Sequence, residues 1–142
     1  MPIFVIHEHH SRKLHFDLRL EIEGVLKSWA VPKGPSMNPK EKRLCVMVDD
    51  HALEYATFEG EIPEGMYGAG TVAIWDKGTF EVRGGSLEKG KLDLVFFGRK
   101  LKGEFALVRM TGRENDWLLM KKTDGFADYK FELKMVLGER KK

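Results

Sequence analysis

From Leu14 to Ile22 the chain alternates strictly between apolar and polar residues, Leu-His-Phe-Asp-Leu-Arg-Leu-Glu-Ile, the two-residue period of a half-buried β-strand. In such a strand Leu14, Phe16, Leu18, Leu20 and Ile22 enter a core, while His15, Asp17, Arg19 and Glu21 share the opposite face. Further along, Thr71–Trp75, Thr79–Val82, Lys91–Phe96, Glu104–Arg109 and Trp117–Lys121 are apolar, β-branched or aromatic runs of strand length. Asp76-Lys77-Gly78, Gly84-Gly85, Gly98, Gly103 and Thr111-Gly112 separate them with turn chemistry at regular intervals. Many short strands between glycine turns predict a mainly β chain, folded as a compact antiparallel β-barrel rather than as βαβ units. Helical pattern is scarce. Short peripheral turns of helix are expected near His51–Tyr55 and Phe126–Lys130.

The 142 residues fit one compact domain, 1–142, and the basic run at 138–142 is expected to be a flexible tail. Pro32-Lys33-Gly34-Pro35-Ser36 reads as a stiff loop, because each proline fixes its own φ and extends the residue before it. Lys and Arg total 24 against 22 Asp and Glu, a net charge of +2, too mild to mark a nucleic-acid binder by charge alone. The single Cys45 excludes an intramolecular disulfide and a multi-cysteine zinc site, which suits a reducing cytoplasm. Its apolar neighbours, Leu44, Val46, Met47 and Val48, predict a buried strand cysteine, not a catalytic thiolate. No apolar run approaches the roughly 20 residues of a membrane helix, and no secretory leader pattern opens the chain.

Four of the five histidines lie between positions 7 and 15. A solvated strand without a ligand could carry them. Their company is unusual, however: His15, Asp17 and Arg19 follow one another on a single face. Imidazole nitrogen and carboxylate oxygen together suit a divalent zinc, manganese or iron ion. His9 could complete a three-ligand set, and Arg19 would offer a planar fork to a phosphate beside it. In the second polar patch, a strand through Arg43–His51 would turn Arg43, Asp49 and His51 to one face and Leu44, Val46 and Val48 to the other. His51 and Tyr55 stay neighbours whether the segment is extended or helical, and become candidate partners for a phosphoryl oxygen or a leaving group. Gly65-Met66-Tyr67-Gly68-Ala69-Gly70 resembles a phosphate-cradling loop, but it precedes a strand and no Gly-Lys-Ser/Thr follows. These glycines are read as turn devices.

His9-His10-Ser11-Arg12-Lys13-Leu14-His15-Phe16-Asp17-Leu18-Arg19-Leu20-Glu21 and Leu26-Lys27-Ser28-Trp29-Ala30-Val31-Pro32-Lys33-Gly34-Pro35-Ser36 closely resemble the phosphoesterase module of bacterial DNA ligase D. The likeness continues through Asp50-His51, Tyr55, Phe58-Glu59-Gly60, Ile62-Pro63-Glu64-Gly65, Tyr67-Gly68-Ala69-Gly70-Thr71-Val72 and Trp75-Asp76, and more weakly through Asn115–Leu119 and Lys121. The resemblance implies a compact β-barrel enzyme, commonly manganese-dependent, with Zn2+ or Co2+ as alternatives. Such an enzyme heals 3′ ends in non-homologous end joining. It removes a 3′-terminal ribonucleoside and then the remaining 3′-phosphate, leaving a 3′-hydroxyl for polymerase and ligase, which for this chain are expected to be separate proteins unless it is an excised fragment.

Carried onto this chain, the resemblance implies His9, His15 and Asp17 as metal ligands and a DNA primer–template as substrate. It implies Arg19 and His51 at the scissile phosphate, with Tyr55 beside them. It also implies Lys33 and Arg43 as further phosphate contacts and Asp49 as a supporting carboxylate. His51 is a candidate general acid. His7 stands where the family more often has an amide, which raises the expectation of an extra ligand or an altered metal preference. The chain begins almost at the first motif, where ligase-fused members carry a longer N-terminal arm, so the resemblance leaves the balance of the two activities open. Two other readings compete. One is a non-catalytic nucleic-acid-binding barrel that uses Trp29, Trp75 and Tyr67, and the other is a small-molecule metalloenzyme on a double-sheet barrel.

Overall fold

The computed structural model describes residues 1–137, so the basic tail expected at 138–142 lies outside the described residues. Nine strands follow in order: β1 (Ile3–His10), β2 (Leu14–Ile22), β3 (Val25–Val31), β4 (Lys42–His51), β5 (Gly60–Ile62), β6 (Gly70–Ser86), β7 (Lys91–Gly98), β8 (Lys102–Arg109) and β9 (Asp116–Lys121). They are antiparallel in the order β1-β2-β3-β4-β9-β8-β7-β6-β5, and β6 also pairs with β1. That last pairing closes an eight-stranded barrel and leaves β5 on its outside. Closure removes the unpaired strand edges that an open sheet would present. No helix among the described residues is long and apolar enough to cross a membrane.

The alternation of β2 works as expected. Phe16, Leu18 and Leu20 enter a core that also holds Phe4, Ile6, Trp29, Phe80, Phe96, Phe105 and Trp117. Cys45 belongs to that core, and burial pushes its thiol up to about 12. The β2–β3 hairpin turns on Glu23-Gly24, both at positive φ (54° and 82°), as a tight two-residue turn requires. It sets the register that places Asp17 opposite Ala30 and Arg19 opposite Ser28.

The outer face of β1–β3 is not solvated, because the segment after β4 folds back over it. A 3₁₀ turn, Leu53–Thr57, is the helical element among the described residues. Its Ala56, with Leu53 and Tyr55, packs on Val5 and Leu26 in a small apolar cluster outside the barrel. Most of β1 is therefore buried on both faces. Polar groups on this outer face sit in a partly dry cleft.

Several expectations need correction, among them Gly84-Gly85, which lies inside β6 beside a register shift against β7 and makes no turn. Thr71–Trp75 and Thr79–Val82 are not separate strands: both belong to β6, 17 residues long. Asp76-Lys77-Gly78 makes no turn because the Asp76 carboxylate is engaged elsewhere, accepting from the backbone N–H of Arg99, Lys100 and Leu101 in the β7–β8 turn. Phe126–Lys130 is not helical but passes through two turns. In β4 the expected division of faces holds as far as Val48, and the Arg43 face is the one that turns inward. Cys45 and Met47 face the core, Arg43 shares their side, and Leu44 is exposed.

A bulge in β4 moves His51 off the face expected for it. Val48 pairs with Ser28, but the next partner of β3, Leu26, pairs with His51, so three steps on β4 match two on β3. That extra residue brings His51 to the outer face with Val48 and Ser28.

Residues 123–137 run without regular structure across the barrel end where β1 finishes. Phe131, Leu133 and Met135 pack on the core, and Trp75 Nε1 donates to the Lys134 carbonyl at 2.7 Å. Beneath this segment, Glu8 and His10 face the barrel interior and pair at 2.7 Å. Glu8 also accepts from the backbone N–H of Val136 and Leu137.

Candidate metal centre

His9 of β1 lies directly opposite His15 of β2, and Asp17 is the next residue on the same face of β2. His9 Nδ1 is 3.2 Å from His15 Nε2 and 3.6 Å from Asp17 Oδ2, while His15 Nε2 is 3.4 Å from Asp17 Oδ1. His9 and Asp17 are buried; the His15 side chain is one-quarter exposed. The far nitrogens are engaged with carbonyls: His9 Nε2 donates to the Gly68 carbonyl at 2.8 Å, and His15 Nδ1 points at that of Lys13 at 3.4 Å.

Those outer contacts decide the chemistry of the centre. A neutral imidazole that donates from one nitrogen keeps a lone pair on the other. His9 Nδ1, His15 Nε2 and the Asp17 carboxylate thus converge as three acceptors that need a proton or a cation between them. Two imidazoles and one carboxylate fit a borderline divalent metal, and a carbonyl on the outer nitrogen is the usual device for fixing a metal-binding histidine. Among the described residues these three form the one group of this kind. Burial alone would raise the Asp17 pKa, but a proton shared with His15 and His9 and the charge of Arg19 overcome it and hold the carboxyl well below its usual range. The hydrogen bond to Asp17 outweighs burial at His15 and raises its pKa.

Arg19, next along β2, is buried and almost fully engaged. Its Nε donates to His7 Nδ1 at 3.0 Å, Nη1 donates to Ser28 Oγ at 2.9 Å and to His51 Nδ1 at 3.1 Å, and Nη2 donates to Asp17 Oδ2 at 3.3 Å. The plane lies over the Tyr55 ring at 4.9 Å. A guanidinium carries five N–H groups. Four are used, so one on Nη2 is left to face the cleft beside Asp17. Arg19 therefore offers a single donor to a ligand there, not the two-pronged fork expected from its sequence position.

The same bonds define two histidines. Arginine can only donate, so His51 Nδ1 accepts and its Nε2 carries the proton toward the cleft. Burial and the charge of Arg19 lower the His51 pKa, with the Asp49 carbonyl pulling weakly the other way. His7 Nδ1 likewise accepts from Arg19, and its Nε2 donates to the Phe58 carbonyl at 3.2 Å. Burial first and Arg19 second lower its pKa to about 4. Both nitrogens of His7 are thus occupied away from the three converging acceptors, so it orients Arg19 and adds no ligand to them.

A groove of about 1110 Å³ opens over these groups. His9, His15, Asp17, Arg19, His51 and Tyr55 line it, with Arg12 of the β1–β2 turn and the loop from Ile62 to Gly70, which ends against His10 and Ser11. Lys33, Arg43 and Asp49 do not. Lys33 is exposed in the loop after β3, and Arg43 pairs with Glu41 at 3.2 Å. The sequence reading missed Ser28, His7 as a partner of Arg19, and the Gly68 carbonyl. His7 is in phase with His9 on β1, a signal that was available. A loop carbonyl meeting a histidine 59 residues away leaves no local trace.

The family model of the DNA ligase D 3′-phosphoesterase domain matches residues 7–109. The chain is 48% identical over 130 residues to the multifunctional non-homologous end joining protein LigD of Pseudomonas aeruginosa, covering 87% of this chain and 15% of that protein. It is 47% identical over 117 residues to the multifunctional non-homologous end joining DNA repair protein LigD of Mycobacterium tuberculosis strain H37Rv, covering 81% and 15%. To LigD of Mycolicibacterium smegmatis it is 42% identical over 130 residues, covering 85% and 17%. The chain thus spans under one-fifth of the length of these relatives.

Proposed function

The chain belongs to the DNA ligase D 3′-phosphoesterase domain family, and from that premise we propose that it is a metal-dependent hydrolase of nucleic-acid 3′ ends. It removes a 3′-terminal ribonucleoside and a 3′-phosphate, leaving a 3′-hydroxyl for the polymerase and ligase steps of end joining. The observation that carries this reading is the convergence of His9, His15 and Asp17 as acceptors beside the one free N–H of Arg19 and the Nε2–H of His51.

His9, His15 and Asp17 would hold the metal, with Mn2+ proposed and Zn2+ or Co2+ compatible with the same donor set. When bound, it supplies Lewis-acid charge that neutralises phosphate oxygens. Arg19 and His51 bind the remaining phosphoryl oxygens through one hydrogen bond each and stabilise the charge that develops there. Tyr55 supports the guanidinium from below, its hydroxyl kept protonated by burial, which raises its pKa. The cleft formed by the 3₁₀ turn excludes water from one side and strengthens each of these contacts. Because His51 keeps its proton on Nε2 and stays neutral, it acts as a hydrogen-bond donor, and the imidazolium needed for strong acid catalysis is disfavoured.

The non-catalytic barrel loses much of its support, since Trp29 and Trp75, two of its three stacking residues, are buried in the core. The deciding assay uses primer–templates ending in a ribonucleotide or a 3′-phosphate, with Mn2+, comparing wild type with His15→Ala and Asp17→Ala. Turnover by the wild type and loss of at least a hundredfold in both variants is expected. Equal turnover in all three proteins, or none in the wild type, would sink the assignment.

A further inference from the structure

Tyr67 is 86% exposed, the most open aromatic among the described residues. It makes no hydrogen bond and no ring contact with any of them. Nothing in the fold needs it there, and an aromatic ring in water loses the burial that would stabilise it elsewhere. Its position is not arbitrary. The next residue, Gly68, gives its carbonyl to His9 Nε2 at 2.8 Å, so the loop tip is fixed to the candidate metal centre. The Tyr67 hydroxyl also bears electrostatically on Arg19, which lines the same groove. The other aromatic in the groove wall, Tyr55, already has its faces occupied by Arg19 and Phe58. Phe97, Phe126 and Tyr129 are half-exposed but lie away from the groove.

We infer that Tyr67 is a stacking platform for the nucleobase flanking the phosphate held in this groove. The inference rests on the 3′-phosphoesterase reading and adds to it a means of gripping a strand end independently of base identity. A base is separated from its phosphate by one sugar, and Tyr67 is one residue from the carbonyl that touches a candidate ligand. Tyr67 lines the same groove as His9, Arg19 and His51. Every base has a π-face, so stacking accepts any sequence, and it requires an unpaired or frayed base. Arg12, exposed on the β1–β2 turn and lining the same groove, provides a positive charge for the neighbouring backbone.

The test measures KM and kcat for wild type, Tyr67→Phe and Tyr67→Ala on ribonucleotide-ended primer–templates. Matched substrates lack the base on one side or the other of the scissile phosphate. Tyr67→Ala is expected to raise KM roughly 5- to 150-fold with little change in kcat, as loss of one stacked base predicts. Tyr67→Phe retains the wild-type KM. On the abasic substrate that lacks the stacked base, wild type and Tyr67→Ala become equal, and which of the two substrates does so identifies the base. An unchanged KM in Tyr67→Ala, a Tyr67→Phe as poor as Tyr67→Ala, or a penalty that persists on both abasic substrates overturns the inference. Anisotropy of the same oligonucleotides bound in chelator, without turnover, gives the stacking energy separately. If the wild type hydrolyses no end, the phosphoesterase reading fails, and this binding series still decides for or against Tyr67.

Discussion

Arg19 Nε donates to His7 Nδ1 at 3.0 Å, and through His7 the guanidinium is tied to the Phe58 carbonyl of the segment that covers the barrel. A neutral imidazole and a carboxamide each present one acceptor and a donor, so glutamine can replace His7 in this relay and leucine cannot. Leaving a buried charged group one bond short costs about 1.5–3 kcal/mol, which is roughly 10- to 100-fold in kcat/KM if Arg19 must be aimed at the phosphate. His7→Leu is expected to lose that much, and His7→Gln to stay within a few-fold of wild type. Metal affinity, measured by calorimetry, should hold in both. A His7→Leu enzyme with unchanged kcat/KM, or one whose loss tracks metal affinity, would show that His7 does not act through Arg19.

His51 provides a pH prediction with a definite sign. Its folded pKa is depressed below 6.5, because burial and Arg19 disfavour the cation. The neutral ring accepts from Arg19; protonation on Nδ1 would set one cation against another. The arrangement therefore persists at and above pH 6.5 and is lost as pH falls through the lowered value. Labelled-histidine NMR should find His51 as the Nε2–H tautomer at pH 7, titrating below 6.5. Titration above 6.5 would restore the general-acid role that its sequence position suggested.

How far the site could be read in advance depended on how local its cause was. The face shared by His15, Asp17 and Arg19 was legible because a two-residue period needs only β2 itself. The place of His51 was not, since its bulge is a mismatch between β4 and β3 and neither strand records the other's count. Asp76-Lys77-Gly78 misled for a related reason. It has turn composition, but its carboxylate serves a distant turn, and Gly78 is there because a Cβ would strike the Phe97 carbonyl of the paired strand. The burial of Trp29 and Trp75 follows from barrel closure, which no single segment specifies. The glycine loop was read as a turn device, and its carbonyl contact with His9 could be seen only once β1 and the loop met.

Metal removal tests the three converging acceptors without reference to catalysis. A ligand that binds only the folded state, at 100 times its Kd, stabilises by about 2.7 kcal/mol, roughly 8 °C in the melting temperature of a domain this size. Added Mn2+ or Zn2+ should raise the melting temperature by that order over chelated protein, and the rise should vanish in Asp17→Ala and His9→Ala. A metal-dependent shift of equal size in both variants would place the ion elsewhere.

Two glycines with positive φ separate strain from site geometry. Gly112 has a φ of 76° and nothing within 4 Å of an added Cβ, whereas Gly70 has a φ of 133° and its Cβ would strike the His10 carbonyl. Gly112→Ala should cost about 1 kcal/mol in denaturant unfolding, the conformational penalty alone. Gly70→Ala should cost at least twice that and also weaken metal binding, because it displaces the loop carrying Gly68 from β1. Equal costs with intact metal affinity would separate the loop from the centre.

Glu8 sits on the core face of the strand that supplies His7 and His9, and it is completely buried. Its carboxylate is shared among His10 Nε2 at 2.7 Å, the Val136 N–H at 2.7 Å and the Leu137 N–H at 3.0 Å. Removing it leaves two backbone donors and an imidazole without partners at the barrel end, a loss of about 3 kcal/mol or more. Glu8→Gln keeps one acceptor of the same shape and should retain part of that stability. In Glu8→Ala, the amides of Val136 and Leu137 should exchange with solvent far faster than in the wild type, and the melting temperature should fall. The same variant should bind metal more weakly, since β1 loses its anchor one residue from His9. Wild-type exchange at Val136 and Leu137 in Glu8→Ala would mean that the apolar contacts of Phe131, Leu133 and Met135 hold the segment without the carboxylate.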